Sequence, residues 1–452
     1  MMDAYRRWIG ENRDCIRKDY FEFLAFQSIS SELQYAKQVR ACAKWVVLYL
    51  QSCGFGAELV ETSGHPVVWG EDLSAGSDRP MLLIYGHYDV QPVDPLELWK
   101  SPPFEATERD GKVFARGAVD DKGQIFYAMC AMKMLRSLHG GLPINVKFCI
   151  EGEEESGSEG LADALPRMQK RLRADSLLVV DYDSYDEKTP AINLGARGIM
   201  TLSVSLTGSN GDLHSGIYGG IAYNPNRAMA ELLASLYDCE GRVAVDGFYD
   251  GVREPTAEEI RSFGRDEDIL RYAKEAGIEA FGGEKGRSLS EANLLRPVLE
   301  INGIAGGYAG SGFKTVIPAK TVAKLSCRLV PGQDPDDVGH KIARFLKGRC
   351  PRGMKIDVDL NRGAAAYRAN LSSRLAQAIG LASEEVMRRP CKRVLSGASV
   401  PIVGALARAA GADIVGMGYG LVTDLIHAPN EHFDFPRLER GLLTVARGLE
   451  LL

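Results

Sequence analysis

Apolar positions in the N-terminal half of this chain follow two alternating patterns. Short unbroken apolar runs read as buried strands. Runs spaced three and four residues apart read as helices with one wet face. Residues 81–85, Met-Leu-Leu-Ile-Tyr, are a run of the first kind, closed by Gly86-His87-Tyr88-Asp89. Similar runs recur at 113–116, 145–150 and 177–180, with helical patterns at 124–138 and 161–172 between them. Ahead of them, 16–26 and 33–53 read as helices. In the second, Val39, Ala43, Val46, Val47 and Leu50 share a face, and Gly54 stops it. Residues 59–69 are β-like around a turn at Gly64-His65-Pro66. Strand and helix alternating at this spacing predict βα units and a mostly parallel sheet.

The pattern changes after Gly195-Ala196-Arg197-Gly198. Met200, Leu202, Val204 and Leu206 alternate with polar or small residues, as in a sheet with one wet face. Helices are expected at 226–237, 256–276 and 335–347, and strands at 314–316, 322–330 and 356–360. This block is α+β in character. Helical patterns at 371–387, 401–410 and 435–451, with a strand at 413–416, then form a tail too short to stand alone. A chain of 452 residues exceeds one ordinary core. The expected fold class is α/β. A mostly parallel-sheet domain covered by helices, residues 1–196 and 366–452, carries an inserted α+β domain, residues 197–365.

Charge and cysteine usage narrow the function classes. The formal net charge is −6 and no basic block stands out, so no nucleic acid and no anionic membrane surface is expected as a partner. Nine cysteines, an odd count without CxxC spacing, read as free thiols in a reducing compartment. The first 20 residues scatter charges and lack the apolar core of a signal peptide, and no apolar run approaches a membrane span. A cytoplasmic protein is expected.

Candidate chemistry collects where the strands end. His87 and Asp89, Asp120 and Asp121, Glu154 and Glu155, and Asp181 and Asp183 each follow an apolar run. Residues 426–432 add His427 and His432. Taken singly, each is an ordinary loop histidine or a solvated acidic turn. Taken as four successive strand C-termini of one sheet, they place like charges at one edge, and a cation resolves that repulsion. Mixed imidazole and carboxylate donors suit Zn²⁺, and also Mn²⁺ or Co²⁺. So many carboxylates suffice for two ions with one acid bridging, an arrangement that activates water against a polarised carbonyl.

Gly86-His87-Tyr88-Asp89-Val90-Gln91-Pro92, Gly117-Ala118-Val119-Asp120-Asp121-Lys122-Gly123 and Glu151-Gly152-Glu153-Glu154-Glu155-Ser156-Gly157 resemble motifs of the di-metal aminoacylase/carboxypeptidase G metallopeptidases. The resemblance is strongest to the carnosinase-like cytosolic dipeptidases. It extends through Asp212-Leu213-His214-Ser215-Gly216, Gly312 with the following Phe313-Lys314-Thr315, Arg328-Leu329-Val330-Pro331 and His427-Ala428-Pro429-Asn430-Glu431. It implies a catalytic domain at 1–196 and 366–452, with 197–365 as a lid and dimerisation domain. It also implies two divalent ions, Zn²⁺ or Mn²⁺, and a small peptide substrate with a free C-terminal carboxylate. The implied ligands are His87, Asp120 and Asp181 for one ion and Asp120, Glu155 and His427 for the other. Glu154 is the implied general base, Asp89 the residue that orients His87, and His214 a group that reaches a neighbouring subunit's site in a homodimer. Arg328, Thr315, Gly397 and Ser399 are the implied substrate contacts. N-acyl amino acid amidohydrolases share the same site and are the alternative activity.

Two departures from the family pattern bear on this reading. Where relatives have Arg-x-Gly-Gly-Ser-Ile-Pro, this chain has Leu395-Ser396-Gly397-Ala398-Ser399-Val400-Pro401, without the charged residue. The fourth strand runs into Asp181-Tyr182-Asp183, so Asp183 competes with Asp181 as a ligand. The loop 282–291, GGEKGRSLSE, receives no functional reading.

Overall fold

The computed structural model of the chain describes every residue except Leu371, Ala398, Ser399 and Pro401, and leaves the side chain of Glu275 undescribed. The chain divides into two compact units. The first comprises Met1–Gly195, Arg368–Val394 and Ile402–Leu452, and the second Ala196–Tyr367 and Leu395–Pro401.

A nine-stranded mixed sheet organises the first unit. Its middle is the strand order Asn145–Glu151, Met81–His87, Ser176–Val179, Asp413–Met417, all mutually parallel. Antiparallel neighbours flank this middle, Val67–Asp72 on one side and Ala191–Ala196 on the other. The inner strands are unbroken apolar runs because both faces are covered. Helix Lys122–His139 is buried along most of its length and packs against Phe435–Leu451, which in turn packs on Arg374–Met387. Gly140, at φ 77, caps it. Helix Met2–Glu11, not foreseen from the sequence, also joins this layer through Tyr5, Trp8 and Ile9.

One expectation about the sheet is corrected. The run 113–116 is not a strand of the central sheet. Strand Lys112–Phe114 lies in a separate three-stranded sheet between Thr107–Arg109 and His432–Asp434. Asp110 and Gly111, both at positive φ, make the tight hairpin turn that folds it back on Thr107–Arg109. Asp120 and Asp121 therefore arrive from a loop at the start of helix Lys122–His139, while His87, Glu154 and Asp181 follow three adjacent strands of the central sheet.

The second unit is built on a four-stranded antiparallel sheet, in the order Val298–Gly306, Lys320–Leu329, Gly198–Thr207, Lys355–Leu360. Strict alternation of burial along Gly198–Thr207 matches the one-wet-face reading. Met200, Leu202, Val204 and Leu206 meet helices Pro225–Ala234 and Pro335–Gly348 in a single apolar core. Strand Val298–Gly306 went unread in the sequence. As an edge strand it is exposed on both faces, and a bulge between Ile301 and Gly303 breaks its period. The expected helix 256–276 is two helices, Ala257–Phe263 and Asp266–Glu275, separated by an extended Gly264. The Ser290 hydroxyl accepts from the Arg265 amide at 2.6 Å and donates to Asp266 at 2.6 Å, which pins the break. The expected strand 314–316 shrinks to Val316–Ile317, and the helices expected from 371 and 401 begin at Arg374 and Val403, their first predicted residues lying outside the described set.

The loop 282–291 has a structural task. Glu284 accepts from the buried Arg296 guanidinium at 3.0 Å and from the Tyr249 hydroxyl at 2.7 Å, tying the loop to the sheet. All nine cysteines are free. Among the described residues, no helix is long and apolar enough to cross a membrane.

Candidate metal centre

Strand Met81–His87 runs parallel to both neighbours, so three strand C-termini share one edge of the first unit. Such edges are where open α/β sheets bind ligands. Gly86 is required there. A Cβ at this position would lie 2.5 Å from Asp121 Oδ2, which accepts the His87 amide at 3.0 Å.

His87 is fully buried. Its Nε2 lies 3.2 Å from Asp120 Oδ1 and 3.8 Å from Asp181 Oδ2. Its Nδ1 lies 3.3 Å from Asp89 Oδ1 and 3.1 Å from the Asp89 carbonyl. One ring nitrogen thus faces open carboxylates while the other is fixed by an acid, as in a metal-ligating histidine. Asp89, also fully buried, accepts from the Ser30 hydroxyl at 2.6 Å and from the amides of Glu154 and Glu155 at 3.2 and 3.1 Å. The same carboxylate that orients His87 therefore sets the turn presenting both glutamates.

His427 closes the second half. Its Nε2 is 2.9 Å from Asp120 Oδ2 and 3.2 Å from Glu155 Oε2. Gln91 Nε2 donates to the same Glu155 oxygen at 2.8 Å. The donor atoms of His87, Asp120 and Asp181 lie within 4.8 Å of one another, and so do those of Asp120, Glu155 and His427. Asp120 belongs to both groups. Asp183 belongs to neither. It is exposed and makes an isolated bridge to Gly420.

Glu431 holds this geometry, and reading the sequence for ligands passed over it. The buried carboxylate accepts from the amides of Gly117, Val119 and Asp120 at 3.0, 3.0 and 3.2 Å, and from Arg116 at 2.8 Å. It ties the Asp120 loop to the segment that carries His427. His427 itself adopts φ 60, as does Leu425, a region that side-chain-bearing residues seldom occupy. The available sequence signal was a motif acid, Glu431, with no ligand role left to fill.

The charges are under-compensated. Burial, opposed by His87 but reinforced by Asp120 and Glu155, pushes Asp181 up to about 7. Burial also drives Glu154 well above the usual carboxylate range. Asp121 is raised in the same way, and its buried Oδ1 has no hydrogen-bond partner. Only Asp120 is held low, by hydrogen bonds from His427 and His87 that outweigh its burial. A nest of carboxylates with two imidazoles and a shared aspartate fits divalent cations with mixed nitrogen and oxygen ligation.

In the second unit, His214 and Thr315 come together. Strand Leu213–His214 pairs with Val316–Ile317, and the Ser215 amide donates to the Thr315 carbonyl at 3.1 Å. Both residues are exposed. Arg328 sits on the wet face of Lys320–Leu329, opposite Ile199 and Val298. Gly397 lies against Arg197, which sequence reading did not single out. A Cβ on Gly397 would be 3.4 Å from Arg197 Nη2. Ser399 lies outside the described residues.

Comparison with known proteins identifies the family of the chain. The chain is 32% identical over 372 residues to human Beta-Ala-His dipeptidase, covering 81% of this chain and 73% of that protein. It is 30% identical over 343 residues to the Cys-Gly metallodipeptidase of Schizosaccharomyces pombe, covering 72% of this chain and 71% of that one. The structure of an M20 family metallo-carboxypeptidase from Sulfolobus solfataricus matches with a TM-score of 0.83 at 31% identity, over 96% of this chain and 98% of that one. A model of peptidase family M20/M25/M40 matches residues 83–450, a span that takes in His87 and runs past His427. On that match, this chain belongs to peptidase family M20/M25/M40.

Proposed function

We propose that this chain is a cytoplasmic, homodimeric dipeptidase working with two divalent ions, Zn²⁺ or Mn²⁺. As an M20 family member with metallodipeptidases among its relatives, it is a metallopeptidase that hydrolyses dipeptides. The observation that carries the two-ion reading is the sharing of Asp120 between two ligand groups. His87, Asp120 and Asp181 hold one ion. Asp120, Glu155 and His427 hold the other. Bound ions polarise the scissile carbonyl and lower the pKa of the attacking water.

The remaining roles belong to the chain's own groups. Glu154 takes the proton from the attacking water and passes it to the leaving amine. Burial raises its affinity for a proton, the direction that a general base requires. Asp89 keeps His87 oriented. Arg328 and Thr315 bind the C-terminal carboxylate of the peptide, for which a guanidinium fork is apt, and Gly397 and Ser399 touch the substrate. His214 supports the carbonyl from a neighbouring copy, and the second unit acts as lid and dimer-forming domain. Exposed apolar residues on that unit favour self-association, among them Ile217, Ile221, Ile304 and Phe313, together with the edge strand Val298–Gly306. Nine free cysteines favour a reducing compartment.

A panel of dipeptides set against N-acetyl and N-succinyl amino acids tests the activity. Dipeptides are expected to turn over fastest, with the activity abolished by a chelator and restored by Zn²⁺ or Mn²⁺. Preferential turnover of the acylated compounds would replace the dipeptidase reading with an amidohydrolase. Light scattering giving 49.3 kDa for the active protein, the mass of one chain, would remove the dimer.

A further inference from the structure

Arg197 and Arg328 line one cavity of about 870 Å³ within the second unit, together with Asn293, Glu300 and Ser326. The volume is at the upper end for small-molecule sites. Its electrostatics are unbalanced. Among the described residues, Arg197 Nη2 reaches only Asn293 Oδ1, at 3.4 Å, and its buried Nε has no hydrogen-bond partner. Neither arginine makes an ion pair among the described residues. Glu300 is the acid facing them, yet it comes within ion-pair distance of neither. Burial first, and then the Arg328 guanidinium, pushes Arg197 down to about 10, so Arg197 still carries its charge at neutral pH. Arg296, on the same wall, differs in being neutralised by Glu284 and Glu254.

Two neighbouring guanidiniums without an ion-pair partner among the described residues, one of them largely desolvated, call for anionic charge from outside. One carboxylate satisfies one fork. We propose that Arg197 is a specificity-determining residue, and that it and Arg328 form a pocket for a dicarboxylate, the C-terminal Asp or Glu of a peptide. Arg328 takes the main-chain carboxylate, a role that rests on the function proposed above, and Arg197 takes the side-chain carboxylate. Gly397 lies beside Arg197, where a Cβ would stand 3.4 Å from Nη2, in van der Waals contact. A peptide ending in Lys or Arg would bring a third cation to the pocket and is disfavoured.

The test compares Ala-Glu with Ala-Gln in the wild-type enzyme, Arg197→Met and Arg197→Lys. It measures kcat/KM, and it measures calorimetric binding of non-hydrolysable analogues in which CH₂–NH replaces the amide. Wild type should favour the Glu-ending peptide by about tenfold or more, the low end for a charge-assisted hydrogen bond. Arg197→Met should bring that ratio close to one by lowering Ala-Glu turnover much more than Ala-Gln turnover, and Arg197→Lys should keep part of the preference. A wild-type ratio near one overturns the proposal. So does an Arg197→Met that lowers both peptides equally, since Arg197 would then serve the main-chain carboxylate. Should neither peptide be hydrolysed, the dipeptidase reading fails, and the binding arm still decides. A Glu-ending analogue that binds more tightly in wild type but not in Arg197→Met supports the pocket, and equal binding overturns it. If Arg197→Met does not fold, the wild-type ratio and Arg197→Lys decide.

Discussion

The two units hold their candidate residues in opposite ways. In the first, His87, Asp89 and Glu431 are buried and tied by charged or backbone hydrogen bonds, which hold His87 and the Asp120 loop in place, while His427 alone of the candidate ligands is exposed. In the second, His214 and Thr315 sit on an exposed two-strand ribbon, and Arg328 is half-buried beside an open cavity. Chemistry that depends on sub-ångström placement is built where packing supplies it. Recognition of a variable substrate falls to groups with room around them.

If that contrast is real, substitutions in the two regions should fail differently. The largest effect is expected from Asp120→Ala, which removes the ligand common to both groups. Metal content should drop for both ions together, and activity should fall to background. Retention of one tightly bound ion would break the shared-ligand arrangement. A smaller effect is expected from Arg328→Met. Its kcat/KM should fall by about 10- to 100-fold, mainly through KM, with metal content unchanged, as for loss of a charge-assisted hydrogen bond. An Arg328→Met protein that loses metal would erase the distinction between the regions.

The same contrast decided what could be read from the sequence. His87, Glu154, Glu155 and Asp181 were legible because a buried parallel strand is an unbroken apolar run, and the first polar residues after it mark the sheet edge. Asp120 was legible as a residue but misplaced in the fold. The Asp110-Gly111 turn that moves its strand to a separate sheet was not weighed. Asp181 and Asp183 could not be separated by pattern, since they lie two residues apart. The approach of Asp181 to His87 at 3.8 Å, and its place in a donor group that Asp183 does not join, distinguish them. In the second unit, His214, Thr315, Arg328 and Gly397 came from resemblance alone, because single polar or small residues on a half-wet surface leave no periodic signal. Arg197 was missed for that reason, and in strand Val298–Gly306 exposure and a bulge removed what alternation remained.

On the proposed function, the first unit carries a complete hydrolytic centre, with ligands and base as separate groups. Metal content and dipeptide turnover measured together on Glu154→Gln test it most directly. Glu154 is in neither ligand group, so the variant should bind two ions per chain as wild type does while kcat falls by about 10²- to 10⁴-fold, the range for loss of a general base. Wild-type turnover by Glu154→Gln, or loss of its metal in step with its activity, would contradict the account.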